Sequence, residues 1–319
     1  MVRPQVSVRS SHVVREAIGD RFYLAGVYVF LGIVLVVIGY PLAYVLSASF
    51  SSANAVIENQ VWLWPVHWSL LGYRAVFQYQ EVWTGYLNSL IYTVGTAILS
   101  VSLTIMIAYP LSRQTFYGRK IWVWLLLFAL MFNGGLVPFY LLVKDLGMLN
   151  TRWSMIVPGA LSIFSIIVAK TFFQSTIPND LYEAAQIDGA SDIRFMWQIV
   201  IPMSEPIIAV LVLWSVVGTW NSYFNALLFL NSQSLYPLQL VLRQLLILGN
   251  VTASGLGMAG ATVSARQMQR FQDMSELLQY SLIIVSTAPM LIIYPFAQRY
   301  FMKGIMMVNE TLSRAVPTV

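Results

Sequence analysis

Glu183, Ala184 and Ala185 are consecutive, Gly189 follows after three residues, and Ile199 and Pro202 come ten and thirteen residues beyond Gly189. At about 100° per residue, a helix through this segment gathers Asp180, Glu183, Ala184, Ile187 and Asp188 into an arc of about 140°. That face is small and acidic, with one apolar contact at its centre. Alanines let another protein's backbone come close, and carboxylates pair with arginines at the rim of a groove, where charge fixes register more than affinity. Five of the thirteen acids of the chain, Asp180, Glu183, Asp188, Asp192 and Glu205, fall between residues 174 and 205. The chemistry on offer is recognition.

Other chemistries lack their residues. There is no cysteine, which removes disulfides, thiolate nucleophiles and Cys-based metal sites. The two histidines, His12 and His67, are far apart and fall on opposite sides of the expected membrane. No G-x-x-x-x-G-K-[ST] occurs, so no Walker-type loop cradles phosphate here. Neither H-E-x-x-H nor a paired-aspartate site appears, and an intramembrane enzyme is disfavoured.

The elements that hold the acidic face can be read from their punctuation. Pro178 stops the preceding segment and Asn179 is a good N-cap, so a two-turn helix is expected over residues 180–187. Gly189 tolerates the left-handed conformation of a helix C-terminus. Ser191 or Asp192 then caps a second short helix that ends before Pro202. The expected product is a helix-turn-helix elbow.

On either side of the elbow the chain is apolar. It carries 58% hydrophobic and 10% charged residues, against ~45–50% and ~25% in soluble domains. Stretches near 22–46, 87–110, 121–143, 153–173, 206–230 and 279–302 each reach the roughly 20 residues of helix that cross a bilayer. None contains Asp or Glu, and Lys170 and Arg299 lie near span ends, where long side chains reach the interface. The expected fold is all-α, a polytopic membrane protein of six transmembrane helices. The first apolar run is too long for a cleaved signal and reads as a signal anchor.

Twelve of the eighteen basic residues (Arg3, Arg9, Arg15, Arg21, Arg113, Arg119, Lys120, Lys170, Arg194, Arg299, Lys303 and Arg314) fall on one side if the N-terminus is cytoplasmic. Both termini and the elbow are then inside. The net charge of +5 follows from this bias, and nucleic acid is not an expected partner. The expected organisation is a cytoplasmic segment 1–21, a transmembrane domain 22–306 with its cytoplasmic loop at 174–205, and a cytoplasmic tail 307–319.

The outward loops 47–86 and 231–278 are long. VWLWPVHW at 61–68 places three tryptophans beside the membrane edge, either as an interfacial belt or as a docking or sugar-stacking surface. Leu238, Val241, Leu242 and Leu245 have the spacing of an amphipathic helix lying on the outer surface. Gly255, Gly257 and Gly260 mark a flexible stretch after it.

The ordered set Glu183, Ala184, Ala185, Gly189, Ile199 and Pro202 resembles the coupling loop of permease subunits in binding-protein-dependent ABC importers. Ile201 stands where that family most often has leucine and keeps the apolar contact. NSLIYT at 88–93, FNGGLVPFYLLVKDLGMLNT at 132–151, WNSYFNALLFL at 220–230 and YPFAQRYFMKGIM at 294–306 extend the resemblance over most of the chain. They are similar to the second membrane subunit of maltose-type carbohydrate importers, in a subset handling complex oligosaccharides. The resemblance implies the type I ABC importer permease fold and a place in the bacterial cytoplasmic (inner) membrane. Implied partners are a second homologous permease, an ABC ATPase dimer, an extracytoplasmic solute-binding protein and a carbohydrate. ATP and Mg belong to the ATPase, with no cofactor bound by this chain. The implied work is alternating access, with Asp180, Glu183, Ala184, Ala185, Asp188, Gly189, Ile199 and Pro202 meeting the ATPase.

An ion-coupled secondary transporter is the alternative class. A proton-coupled one is expected to carry an acid within its spans, whereas a sodium site made of carbonyls would leave no such mark. Candidates for the cargo route are polar and aromatic residues inside the spans: Asn133, Trp220, Asn221, Tyr223 and Asn225. The competing reading is that these side chains tie helices together.

Overall fold

The computed structural model of the protein describes residues 18–132, 134–245, 278–295 and 298. Among them every regular element is helical. Helix α1 (Ile18–Ser49) is followed by two short helices, α2 (Ala53–Ile57) and α3 (Leu71–Gln78), and by the 33-residue α4 (Gln80–Ser112). Next come α5 (Arg119–Met131), α6 (Leu136–Asp145), α7 (Trp153–Ile156) and α8 (Ile163–Thr176). The elbow comprises α9 (Asn179–Ile187), α10 (Asp192–Phe195), a π-helical segment (Met196–Val200) and α11 (Ile201–Met203). Then follow α12 (Glu205–Trp220), α13 (Tyr223–Phe229), α14 (residues 238–245) and α15 (Leu278–Pro295).

Helix α4 is the central post, packed along its length against α8 and α12. Its buried positions include Gly85, Ser89, Thr93, Thr96, Ser100, Thr104 and Ala108, recurring every three or four residues. A stripe of small and hydroxylated side chains lets membrane helices approach closely without leaving voids. Helix α1 behaves differently. Its apolar side chains, Phe22, Tyr28, Leu35 and Val36 among them, stay exposed along the span, as suits a helix facing lipid or another subunit.

Three helices, in α1, α4 and α15, are each long and apolar enough to cross a membrane, and up to five spans result if each bent pair counts as one. The expected stretches 22–46 and 87–110 lie within α1 and α4, and the helix of α1 already begins at Ile18, inside the segment 1–21 read as an N-terminal extension. Three other expected spans are interrupted. The stretch 121–143 divides into α5 and α6, where Gly135 takes φ +89°, a value foreign to a right-handed helix. The stretch 153–173 becomes α7, a turn through Pro158 and Gly159, and α8. With 14 residues α8 is only about 21 Å long. The stretch 206–230 ends its first helix at Trp220, because Asn221 Nδ2 donates to the Val217 carbonyl at 2.9 Å and Ser222 Oγ to the Thr219 carbonyl at 2.9 Å. Side chains that take terminal carbonyls in this way close a helix.

A further correction concerns α14, expected on the outer surface. Leu238, Leu240, Val241 and Leu242 are buried, and Ser89 Oγ accepts from the Leu238 amide at 2.8 Å. Asn88 Nδ2 donates to the carbonyls of Ser234 and Tyr236 at 2.8 and 3.1 Å. The apolar stripe on α14 is therefore matched by the small-residue side of α4, not by an interface of headgroups. Trp62, Trp64 and Trp68 are exposed, while Asn133, the glycines at 255, 257 and 260, and the tail 307–319 lie outside the described residues.

Candidate functional site: the elbow and the hydroxyl-lined cavity

The elbow is built much as its punctuation dictates. Pro178, in extended conformation, precedes the first turn of α9, although Asn179 does not act as a side-chain cap. At the other end the Gly189 amide donates to the Gln186 carbonyl at 3.0 Å and the Ala190 amide to the Ala185 carbonyl at 2.9 Å, with Gly189 at φ +75°. These paired bonds form a Schellman motif, which needs a left-handed residue at that position. Ser191 then caps α10, its Oγ accepting from the Arg194 amide at 3.3 Å.

The second arm does not stop before Pro202. It passes through the π-helical turn Met196–Val200 and continues to Met203 before bending by 81° into α12 at Ser204. Proline has no amide and its ring crowds the carbonyl four residues back. A turn wound more widely than the α-helix accommodates that defect without ending the helix.

Asp180, Glu183, Ala184, Ile187 and Asp188 are all exposed on one side of α9, and Ile187 is 86% exposed. Ile193 and Trp197 add exposed apolar surface on the second arm. Ala185 points the other way, into the cluster of Phe173, Ile177, Phe195 and Val200. Ile199 packs on the edge of that cluster, and Pro202 is exposed. The predicted set therefore divides. Some of it forms an exposed face, and Ala185 and Ile199 seat that face on the helix bundle.

A residue not singled out in the sequence lies beneath the elbow. Arg113, the C-cap of α4, is 8% exposed. Its guanidinium carbon lies 4.7 Å from the ring centre of Tyr182, 4.9 Å from Phe195 and 5.1 Å from Tyr109. Tyr182 and Phe195 meet edge to face at 5.4 Å. The Tyr182 hydroxyl donates to Asp192 Oδ1 at 2.7 Å and accepts from Gln186 Nε2 at 3.0 Å. Donation to that carboxylate, followed by partial burial, raises the Tyr182 pKa above the ordinary tyrosine value, so the phenol stays protonated. A cavity of about 530 Å³ opens beside this cage, lined in part by Arg113, Phe116, Tyr182 and Asp192.

A second cavity, of about 170 Å³, lies deeper in the bundle. Ser100 of α4, Ser162 and Ser165 at the start of α8, Ser215, Gly218 and Thr219 of α12, and Ser222 and Asn225 beyond it line its wall. Serine and threonine hydroxyls both donate and accept, which suits a ligand made of hydroxyls. Of the residues expected along a cargo route, Asn225 reaches this cavity. Trp220 does not: it is 4% exposed, and its indole Nε1 donates to the Ser286 carbonyl of α15 at 3.1 Å. Asn221 bonds its own helix. Tyr223 lies under the Arg243 guanidinium at 5.4 Å. The i, i+4, i+7 spacing of Ser215, Thr219 and Ser222 in an otherwise apolar stretch was the available signal for this wall.

No family model matches the chain. Curated relatives do. The protein LplC of Bacillus subtilis (strain 168) is 36% identical over 277 residues, covering 87% of this chain and 90% of the relative. The polygalacturonan/rhamnogalacturonan transport system permease protein YtcP of the same organism is 36% identical over 296 residues, covering 89% and 96%. Among solved structures, a bacterial ABC transporter involved in the import of the acidic polysaccharide alginate superposes with TM-score 0.79 at 30% identity, covering 90% of this chain and 99% of the matched chain. With likeness running over nearly its whole length, and with an elbow that exposes Glu183 and Ala184, the chain belongs to the permease subunits of sugar ABC importers.

Proposed function

We propose that this chain is one of two membrane subunits of an oligosaccharide importer, with its termini and the α9–α10 elbow in the cytoplasm. The exposed face of Asp180, Glu183, Ala184, Ile187 and Asp188 carries this reading, because a small, acidic, rigidly capped helix is the shape and charge a basic groove accepts. The groove belongs to an ATPase subunit that binds ATP and Mg, and a soluble binding protein delivers cargo from outside. A second, homologous permease completes the route.

Within this chain the hydroxyl-lined cavity is the sugar route. At about 170 Å³ it is smaller than the ~300–1,000 Å³ of ordinary ligand pockets. Passage of an oligosaccharide therefore needs α4 and α12 to part, or the partner permease to supply the facing wall. A cargo made of linked sugars is supported by YtcP, named for polygalacturonan/rhamnogalacturonan transport, and by the transporter involved in alginate import.

The deciding experiment is Glu183→Lys in the assembled complex. Charge reversal sets like charges against the basic rim and releases the ATPase subunit on purification, while the permease remains in the membrane at normal level. Retention of the ATPase together with full uptake would falsify this face as the docking site.

A further inference from the structure

Arg113 has an unusual setting for a buried cation. Its Nε and Nη2 have no hydrogen-bond partner, and the rings of Tyr109, Tyr182 and Phe195 stand around its guanidinium at 4.7 to 5.1 Å. Attraction between a cation and ring faces compensates a desolvated guanidinium. Contact with ring faces on both arms of the elbow ties the guanidinium, and with it the end of α4, to those arms. The three rings come from three elements. Tyr109 belongs to α4, Tyr182 to the first arm of the elbow and Phe195 to the second.

We propose that Arg113 is the positioning residue through which movement of the elbow reaches α4, and through α4 the hydroxyl-lined cavity. The inference rests on the reading of α9 as the ATPase-docking helix. Ser100, on the cavity wall, lies about 20 Å along α4 from Arg113 at about 1.5 Å per residue. Helix α4 is packed against both α8 and α12, which supply much of the rest of that wall. A displacement of α9 relative to the bundle carries Tyr182 and Phe195, and the caged guanidinium makes α4 follow. Lysine would not substitute, since its compact ammonium lacks the flat surface that three rings can share.

The absence of native cysteine permits a test that needs no knowledge of the sugar. A single cysteine at Ser215, on the cavity wall, is labelled with N-ethylmaleimide in the complete complex in proteoliposomes, with and without ATP plus vanadate. Labelling of this chain is read separately from that of its partners. In the parent the nucleotide changes the rate about five- to tenfold, within the usual range of coupling between distant sites. Arg113→Lys and Tyr182→Leu reduce that change to less than about twofold, while the ATPase subunit still co-purifies. Tyr182→Phe, which keeps the ring face, retains the full response.

A full nucleotide response in both Arg113→Lys and Tyr182→Leu overturns the relay, as does a parent whose cavity cysteine ignores nucleotide. Loss of complex yield in Arg113→Lys with an intact response in the remaining complex also overturns it, since the cage would then only hold the fold. Glu183→Lys separates the two readings. Retention of the ATPase with full uptake by that variant defeats the docking face, whereas a normal response in Arg113→Lys with the ATPase lost from Glu183→Lys defeats only the relay.

Discussion

Gly85 of α4 and Leu238 of α14 approach so closely that a Cβ on the glycine would lie 3.0 Å from the Leu238 Cα and 3.2 Å from its amide nitrogen. The obstacle is backbone, which cannot rotate away. Gly85→Val is therefore expected to push α14 off α4 and strain the Ser89 bond to the Leu238 amide. Overpacking of this kind costs about 1–3 kcal/mol. Thermal unfolding of the purified permease in detergent checks it, and an unchanged midpoint would show that the two helices do not depend on this contact.

Gly189 poses the opposite case: nothing lies within 4 Å of the point a Cβ would occupy, but φ is +75°. Space is free and only the backbone conformation is constrained. A non-glycine residue there costs roughly 1–2 kcal/mol, least for asparagine. Gly189→Asn should keep uptake and ATPase co-purification near normal, while Gly189→Val should lose both. Equal behaviour of the two variants in a pull-down would contradict the Schellman geometry.

Gly218 lies on the cavity wall, with nothing within 4 Å of an added Cβ. Gly218→Leu adds bulk at the cavity wall, where its first side-chain carbon meets no neighbour, and Asn225→Leu removes its amide. Both variants should lower uptake per assembled complex severalfold, while basal ATP hydrolysis and complex yield stay near the parent values. Lower yield with normal uptake per complex would assign these residues to helix packing, where a polar contact is worth ~0.6–2 kcal/mol.

Orientation is tested by accessibility. Single cysteines at Thr115 and Glu58, both exposed, should react with a membrane-impermeant maleimide from opposite sides, Thr115 from the cytoplasm and Glu58 from outside. The reverse pattern would place the elbow away from any cytoplasmic ATPase and remove the basis of the coupling mechanism.

Asn150 illustrates a constraint that holds together the end of the bundle opposite the elbow. Its Oδ1 accepts from the Asn231 and Ser232 amides at 3.0 and 2.9 Å, and its Nδ2 donates to Ser232 Oγ at 2.9 Å, at a residue with φ +56°. Asn150→Ala loses all three bonds and adds backbone strain. We expect a loss of stability of about 1–3 kcal/mol, measured as faster amide hydrogen exchange across residues 229–232.

The chain's own order of residues determined the membrane class and the elbow. Six long apolar stretches without acids, in a chain with only 10% charged residues, suit a bilayer and leave too little polar surface for water, and the sequence from Pro178 through Gly189 to Ser191 carries local backbone rules that hold whatever surrounds them. Local rules also marked the exposed face of α9, because helical periodicity places Glu183 and Ile187 on one side before any packing is known. The cavity and the Arg113 cage were decided by tertiary structure. Ser100, Ser162 and Ser215 are remote in sequence and share a wall only because α4, α8 and α12 pack together. Hydropathy averages counted α8 with α7, and α12 with α13, as continuous spans, since a window of apolar residues does not register a Pro-Gly turn or an Asn-Ser cap. Trp220 shows the same limit from the other direction: its polar edge drew attention to a cargo route, and only the position of Ser286 on α15 revealed that the indole holds two helices together.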